Sequence, residues 1–210
     1  AKSTRIHSMT CRIQLIRHGQ VHSDWRKRIY GCLDVPLSEH GEAEARRAAE
    51  FLAEVEIDEV YSTGLSRSAF GAECIAASRN LAVQAEPRLR EIERGAWAKL
   101  TFDELEQQFP GAFAAWNASP WDQKPEGGES LDELLVRVTQ SLGAIAKHNS
   151  GKTVAIVAHR HVLRCALACS LGKAESLLRI IPTGTVLTLD WPEVGSPTLV
   201  SAECFDSVDN

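Results

Sequence analysis

Arg17 and His18 stand side by side at the end of an apolar run, in the stretch QLIRHGQ at residues 14–20. His159 ends a second apolar run, VAIVAH at 154–159, and Ser62 and Thr63 end a third, with Arg67 one helical turn later. Arginine is planar, always charged, and forks onto paired oxygens, so two arginines and two histidines at one rim suit a phosphoryl group. A neutral histidine can attack phosphorus directly and form a covalent intermediate. Flanking cations then stabilise charge on the equatorial oxygens during transfer. The leaving oxygen needs a proton, so a carboxylic acid should stand nearby. The stretch LREIERG at 89–95 offers Glu91 and Glu93, and the residues by themselves do not choose between them.

Elements that would position these groups are legible. Residues 13–16, 58–62, 82–84, 154–157, 185–191 and 197–202 read as strands, most of them short apolar runs. Ser38 can cap a helix carrying Ala45, Ala48, Ala49 and Leu52 at helical spacing, and residues 65–78 read as another. SLDE at 130–133 has the capping-box pattern, and Leu131, Leu134, Leu135, Val138, Leu142 and Ile145 behind it share one helical face. A further helix is expected from about 162 to 171. Strands alternating with helices predict a three-layer α/β/α fold with a mainly parallel central sheet. Ligands in such sheets bind beyond the carboxyl ends of the strands, which is where the histidines and arginines fall. A helix starting near Leu65 would also turn backbone N–H groups toward an anion.

Composition narrows the class. The chain has 210 residues, 44% hydrophobic and 24% charged, with a formal net charge of −5. Nothing global favours nucleic acid or an anionic membrane, so an anion site must be local. No apolar stretch approaches the ~20 residues of a membrane span. Six irregularly spaced cysteines without a CxxC pair read as free thiols of a reducing cytoplasm. Residues 10–205 are expected to form one domain, with 94–128 as an inserted lid of short helices and loops holding Trp97, Trp116 and Trp121. Residues 1–8 are read as a tag or disordered extension.

Six blocks carry a resemblance. LIRHGQ is similar to the signature of the histidine phosphatase superfamily, in its phosphoglycerate-mutase-like branch 1, small bacterial phosphatase type. In the expected order, GCLDVPLSEHGEAEA (31–45) resembles the family's G-x-x-D-x-P-L-[ST]-x-x-G-x-x-Q-A. VYSTGLSRSAFGAE (60–73) resembles V-Y-S-S-P-L-x-R-x-x-Q-T-A-E. LREIERGAW resembles L-x-E-x-x-x-G-x-W, EGGESLDELLVRV (126–138) resembles G-G-E-S followed by Arg, and VAIVAHRHVLR resembles V-x-V-x-H-G-G-x-I-R. The resemblance implies a phosphomonoesterase acting on a small phosphorylated metabolite. His18 would be the nucleophile, Arg17, Arg67 and His159 would line the phosphate pocket, and Glu91 would be proton donor and then base. It implies no metal and no organic cofactor, and it leaves a homodimer open. Asp24, Gly31 and Arg160 are carried over as substrate-binding positions.

The chain also departs from the pattern. Asp24 stands where the family has a phosphate-contacting Asn, and the frequent W-E-G is Trp97-Ala98-Lys99. The H-G-G turn becomes His159-Arg160-His161, which adds bulk and charge beside the pocket. Three rivals remain. A phosphoglycerate mutase would need more basic residues in the excursion than Arg94, Lys99 and Lys124. A metal hydrolase could use His18, His22, His159 and His161, but no H-x-H-x-D-H pattern follows. A non-catalytic phosphate-binding module is the third.

Overall fold

The run holding Arg17 becomes β1 (Thr10–Arg17) at the centre of a six-stranded sheet. The computed structural model describes residues 10–204, so the expected extension at 1–8 lies outside the described residues. After β1 come a 3₁₀ turn at Ser23–Trp25, α1 (Glu39–Phe51), β2 (Glu59–Ser62), α2 (Ser66–Ala77) and β3 (Val83–Ala85). The excursion holds two short helices, α3 (Phe102–Gln108) and α4 (Ala112–Ala118). Then follow α5 (Leu131–His148), β4 (Thr153–Ala158), α6 (Arg160–Leu171), α7 (Lys173–Leu178), β5 (Thr185–Pro192) and β6 (Thr198–Cys204). Among the α-helices and strands of the described residues, α7 has no counterpart in the expected elements, and neither does the 3₁₀ turn at Ser23–Trp25.

The strand order is β3-β2-β4-β1-β5-β6. The first four strands are parallel, while β5 runs antiparallel to β1 and β6 antiparallel to β5. A short loop suffices to join β5 to β6, whereas each parallel pair needs a helical crossover. Successive residues of the central strands face opposite layers. On one face Ile13, Leu15, Val154, Ile156 and Leu187 pack with α5 and α6. On the other Ile16, Ala155, Val157 and Val186 pack with α1 and α2. The fold is the expected three-layer α/β/α arrangement, with a mixed, mostly parallel sheet.

Parallel pairing sets the site. Arg17 is in register with Ala158, and Ser62 with Val157, so the chain leaves β1, β2 and β4 at one edge of the sheet. His18 extends the ladder by donating its N–H to the Ala158 carbonyl at 3.0 Å. Ser130 and Glu133 form the expected capping box at the start of α5. α6 starts earlier than expected, because His159 is extended (φ −132°, ψ 164°) and acts as N-cap. Arg160 and His161 are therefore first-turn helix residues rather than a loop.

Two glycines let this edge of the sheet close. A Cβ on Gly19 would lie 2.0 Å from the Gly41 carbonyl oxygen, and one on Gly41 would lie 2.0 Å from that of Gln20. The start of α1 thus presses directly on the backbone that follows His18. We expect Gly41→Ala to destabilise the protein by about 1–3 kcal/mol, the usual range for overpacking. Urea unfolding checks this, and an unchanged midpoint would mean that the contact is not tight.

Candidate active site

A cavity of about 600 Å³ opens at this edge of the sheet. Arg17, His18, Gly31, Glu91 and Arg160 line it, whereas Arg67 and His159, expected there too, are fully buried and lie against His18 without lining the cavity. Arg94, His161 and Trp116 complete the wall nearest the excursion.

His18 is almost fully buried, and its Nδ1 lies 2.7 Å from the Gly19 carbonyl oxygen. A carbonyl only accepts, so Nδ1 carries the proton and Nε2 keeps its lone pair. Burial, with Arg67 and Arg17 nearby, pushes the imidazole pKa down to about 3. The ring is therefore neutral at physiological pH. Arg67 is wholly buried. Its Nε is 3.3 Å from His18 Nε2, its Nη2 donates to the Gly31 carbonyl at 2.8 Å and its Nη1 to the Leu33 carbonyl at 2.6 Å. The Gly31 backbone thus serves the pocket by aiming a guanidinium. Arg17 Nη1 donates to the Ile181 carbonyl at 2.5 Å, while its buried Nε has no partner among the described residues.

His159 is buried edge-on to His18, with ring centroids 5.1 Å apart. Its Nε2 is 2.9 Å from the Thr63 hydroxyl, and its buried Nδ1 has no partner among the described residues. The Thr63 hydroxyl can donate to Nε2 or accept from it; in the tautomer where it donates, the proton sits on Nδ1. Burial and the neighbouring Arg67 hold this ring neutral as well.

Glu91 is 7% exposed. Its Oε1 accepts the Ile92 N–H at 3.0 Å, and His161 Nδ1 lies 3.2 Å from its Oε2. Burial pushes its pKa up, but His161, His159 and the Ile92 N–H outweigh this and hold it well below the usual carboxylate range. The loop bearing Glu91 is clamped by Arg137, whose guanidinium donates to the carbonyls of Arg88, Arg90 and Glu91 and pairs with Glu129 at 2.7 Å. Arg137 is thus structural, as its place in α5 suggests. Glu93 is turned elsewhere: it accepts the Cys32 thiol at 2.6 Å and the N–H groups of Arg94 and Gly95.

Two further expectations need correction. Asp24 does not line the cavity. Its side chain is 78% exposed and pairs with His22 at 3.3 Å, because the 3₁₀ turn at Ser23–Trp25 points it outward. The start of α2 is not open to an outside anion either. Asp34 already occupies it, accepting the Ser66 N–H at 2.8 Å and the Ser66 hydroxyl at 2.7 Å.

The sequence reading missed Arg94 as a site residue. It is 8% exposed, stacks over Trp116 at 4.4 Å and places Nη2 3.3 Å from His161 Nε2. The signal was its position three residues after Glu91 on the same loop. Trp116 also does more than pack the excursion, since it forms cavity wall against both Arg94 and His161. Among the described residues, no group of three or more His, Cys, Asp or Glu side chains is arranged to hold a metal. No helix among them is long and apolar enough to cross a membrane.

A buried neutral imidazole with its lone pair facing a cationic cavity, at the carboxyl edge of a mostly parallel sheet, defines a phosphoryl-transfer site. The chain belongs to the histidine phosphatase superfamily (branch 1), whose sequence profile matches residues 13–201. It is 34% identical over 160 residues to phosphoserine phosphatase 1 of Hydrogenobacter thermophilus, covering 75% of each chain. It is also 34% identical over 174 residues to phosphoglycerate mutase-like protein 4 of Arabidopsis thaliana, covering 81% of this chain and 76% of that one. Among solved structures, mycobacterial glucosyl-3-phosphoglycerate phosphatase in complex with VO3 superposes with a TM-score of 0.79 at 28% identity, over 92% of this chain and 99% of the other. The protein is a phosphoric monoester hydrolase of the small-metabolite type.

The buried rings make stability pH-dependent. The pKa values of His18, His159 and His161 are all lowered by burial in the folded state. Below the unfolded value of about 6.5 the unfolded chain takes up protons that the folded one refuses, so stability falls as pH falls. Each such histidine contributes a slope of about 1.4 kcal/mol per pH unit until its folded pKa is reached, which for His18 is about 3. Urea unfolding between pH 6.5 and 5 should show this decline, and His18→Asn should make it shallower by up to about 1.4 kcal/mol per pH unit, leaving the share of His159 and His161. A flat wild-type profile would contradict neutral burial.

Proposed function

We propose that His18 is the nucleophile of a two-step phosphomonoesterase with Glu91 as its acid–base group. His18 Nε2 attacks phosphorus, the bond to the leaving oxygen breaks, and that oxygen takes a proton that the ionised Glu91 relays from the monoanionic phosphate group of the substrate and later returns to the departing phosphate. Water then attacks the phosphohistidine, Glu91 takes the water's proton, and the N–P bond breaks to release phosphate. Both groups finish as they began. Arg17, Arg67 and His159 Nδ1 hold the phosphoryl oxygens, where charge develops. The observation that carries this reading is the His18 ring itself, neutral, anchored at Nδ1 and unprotonated at Nε2, which accepts the Arg67 Nε–H at 3.3 Å.

Residues 10–205 act as one domain in this reading, with 94–128 as its cap. No step requires a metal, so activity should survive a chelator. A reducing cytoplasm suits the six free thiols. The substrate carries a further acidic group. Arg26, Arg28, Arg94 and Arg160 also line the cavity, and among the described residues Glu91 is the only acidic one that does. The carboxylate-bearing compounds in the names of the phosphoserine and glucosyl-3-phosphoglycerate phosphatases agree with that chemistry. A homodimer would leave these steps unaltered.

His18→Ala should abolish turnover and acid-labile phosphate labelling, and persistent labelling would remove His18 as nucleophile. Glu91→Gln should slow hydrolysis of an alkyl phosphomonoester by about 10²–10⁴-fold, the range for general acid–base groups. Release of inorganic phosphate, rather than its transfer to a second position on the substrate, separates the phosphatase from a mutase.

A further inference from the structure

His161 sits where the family pattern has the second glycine of H-G-G, and in this chain it touches Glu91 twice. Its backbone N–H donates to Oε1 at 3.3 Å and to Oε2 at 3.4 Å, and its buried ring Nδ1 lies 3.2 Å from Oε2, a charge contact that falls outside hydrogen-bond geometry and leaves Nδ1 without another partner among the described residues. The other ring nitrogen, Nε2, is 3.3 Å from Arg94 Nη2. Arginine has N–H donors and no acceptor, so Nε2 must accept. The proton of the neutral ring therefore sits on Nδ1, on the Glu91 side. The ring stands edge-on to Trp116 at 6.0 Å, and Arg94 is fixed over the same indole. An added proton on Nε2 would meet the guanidinium head-on, so this arrangement excludes the imidazolium.

We propose that His161 is a positioning residue: locked by Arg94 as the Nδ1–H tautomer, it holds Glu91 as a carboxylate ready to take the proton of the attacking water. The inference rests on the reading of Glu91 as the acid–base group. It explains why burial alone does not govern that carboxyl, and it assigns His161 to the second step. In that step water's oxygen bonds to phosphorus, the N–P bond to His18 breaks, and water's proton passes to Glu91. Burial, Glu91 and Arg94 all bear on the His161 ring. Glu91 also faces Arg17 and His18 from β1, Arg67 from α2, His159 at the end of β4 and Arg164 from α6. All of these remain when His161 alone is changed.

The test compares His161→Phe, which keeps a ring against Trp116 but has no donor, with His161→Asn, whose amide can donate. Each is made in the wild-type and Glu91→Gln backgrounds, and phosphoenzyme hydrolysis is timed by rapid quench over a pH series. In the wild-type background the Phe variant should slow that step about 10-fold or more, because the ring N–H dipole beside the carboxylate is lost while the backbone N–H contacts stay. Its acidic limb, which reports Glu91 as base, should move to higher pH, and Asn should restore most of the rate. In the Glu91→Gln background the Phe change should add less than about 2-fold, because a residue acting through Glu91 has nothing left to act on. A wild-type profile for His161→Phe, or an equal loss in both backgrounds, overturns the proposal. Should Glu91→Gln itself hydrolyse the phosphoenzyme at the wild-type rate, the acid–base reading fails and the proposal with it. The wild-type ring gives a check independent of folding in the variants: ¹⁵N NMR should show His161 protonated on Nδ1 at neutral pH, and an Nε2–H tautomer or an imidazolium overturns it.

Discussion

The His18 ring lies with Nδ1 2.7 Å from the Gly19 carbonyl and Nε2 3.3 Å from Arg67 Nε. Protonating it would place a further positive charge in a buried space that already holds two guanidiniums. Those cations are fixed by backbone carbonyls, from Gly31 and Leu33 for Arg67 and from Ile181 for Arg17, and not by carboxylates. Carbonyl dipoles orient a guanidinium without cancelling its charge. The pocket is thus left electrically incomplete in one direction only, toward an incoming anion. The same imbalance keeps His18 Nε2 unprotonated, with only the Arg67 Nε–H against its lone pair.

The scaffold serves that constraint. Parallel pairing of β1, β4 and β2 brings His18, His159 and Thr63 to one edge without long loops. Gly19 and Gly41 allow backbone to meet backbone just behind the nucleophile. On the opposite wall Arg137 ties three carbonyls of the loop that carries Glu91. Glu91 therefore stands on an anchored segment, although it does not directly follow a strand of the sheet. A chain of net charge −5 can still bind anions strongly here, because the cations are gathered and desolvated at one cavity.

Most of the sheet and the phosphate-facing residues were legible because they depend on local signals. Apolar runs bounded by polar residues mark strands, and strand ends in a parallel sheet share an edge. Glu91 and Glu93 were indistinguishable by residue type. What separates them is long-range: Arg137 and His161 surround the first, while Cys32 and a tight turn take the second. Asp24 misled because a carboxylate in the phosphate block says nothing about where a 3₁₀ turn will point it. The cap on α2 was hidden for the same reason, since Asp34 is 32 residues distant from Ser66 in sequence. Arg94 was read only as one of a few basic residues in the excursion. Its role becomes visible when α4 brings Trp116 over it and α6 brings His161 to its tip.

The central claim is that His18 is an uncharged nucleophile with its proton on Nδ1. Titration of the wild-type protein by ¹⁵N-edited NMR, following the His18 ring nitrogens, addresses it most directly. The account predicts an Nδ1–H tautomer with an Nε2 that stays unprotonated down through pH 5, in keeping with a pKa near 3. A His18 ring that titrates near the unperturbed value of about 6.5, or that carries its proton on Nε2, would contradict it.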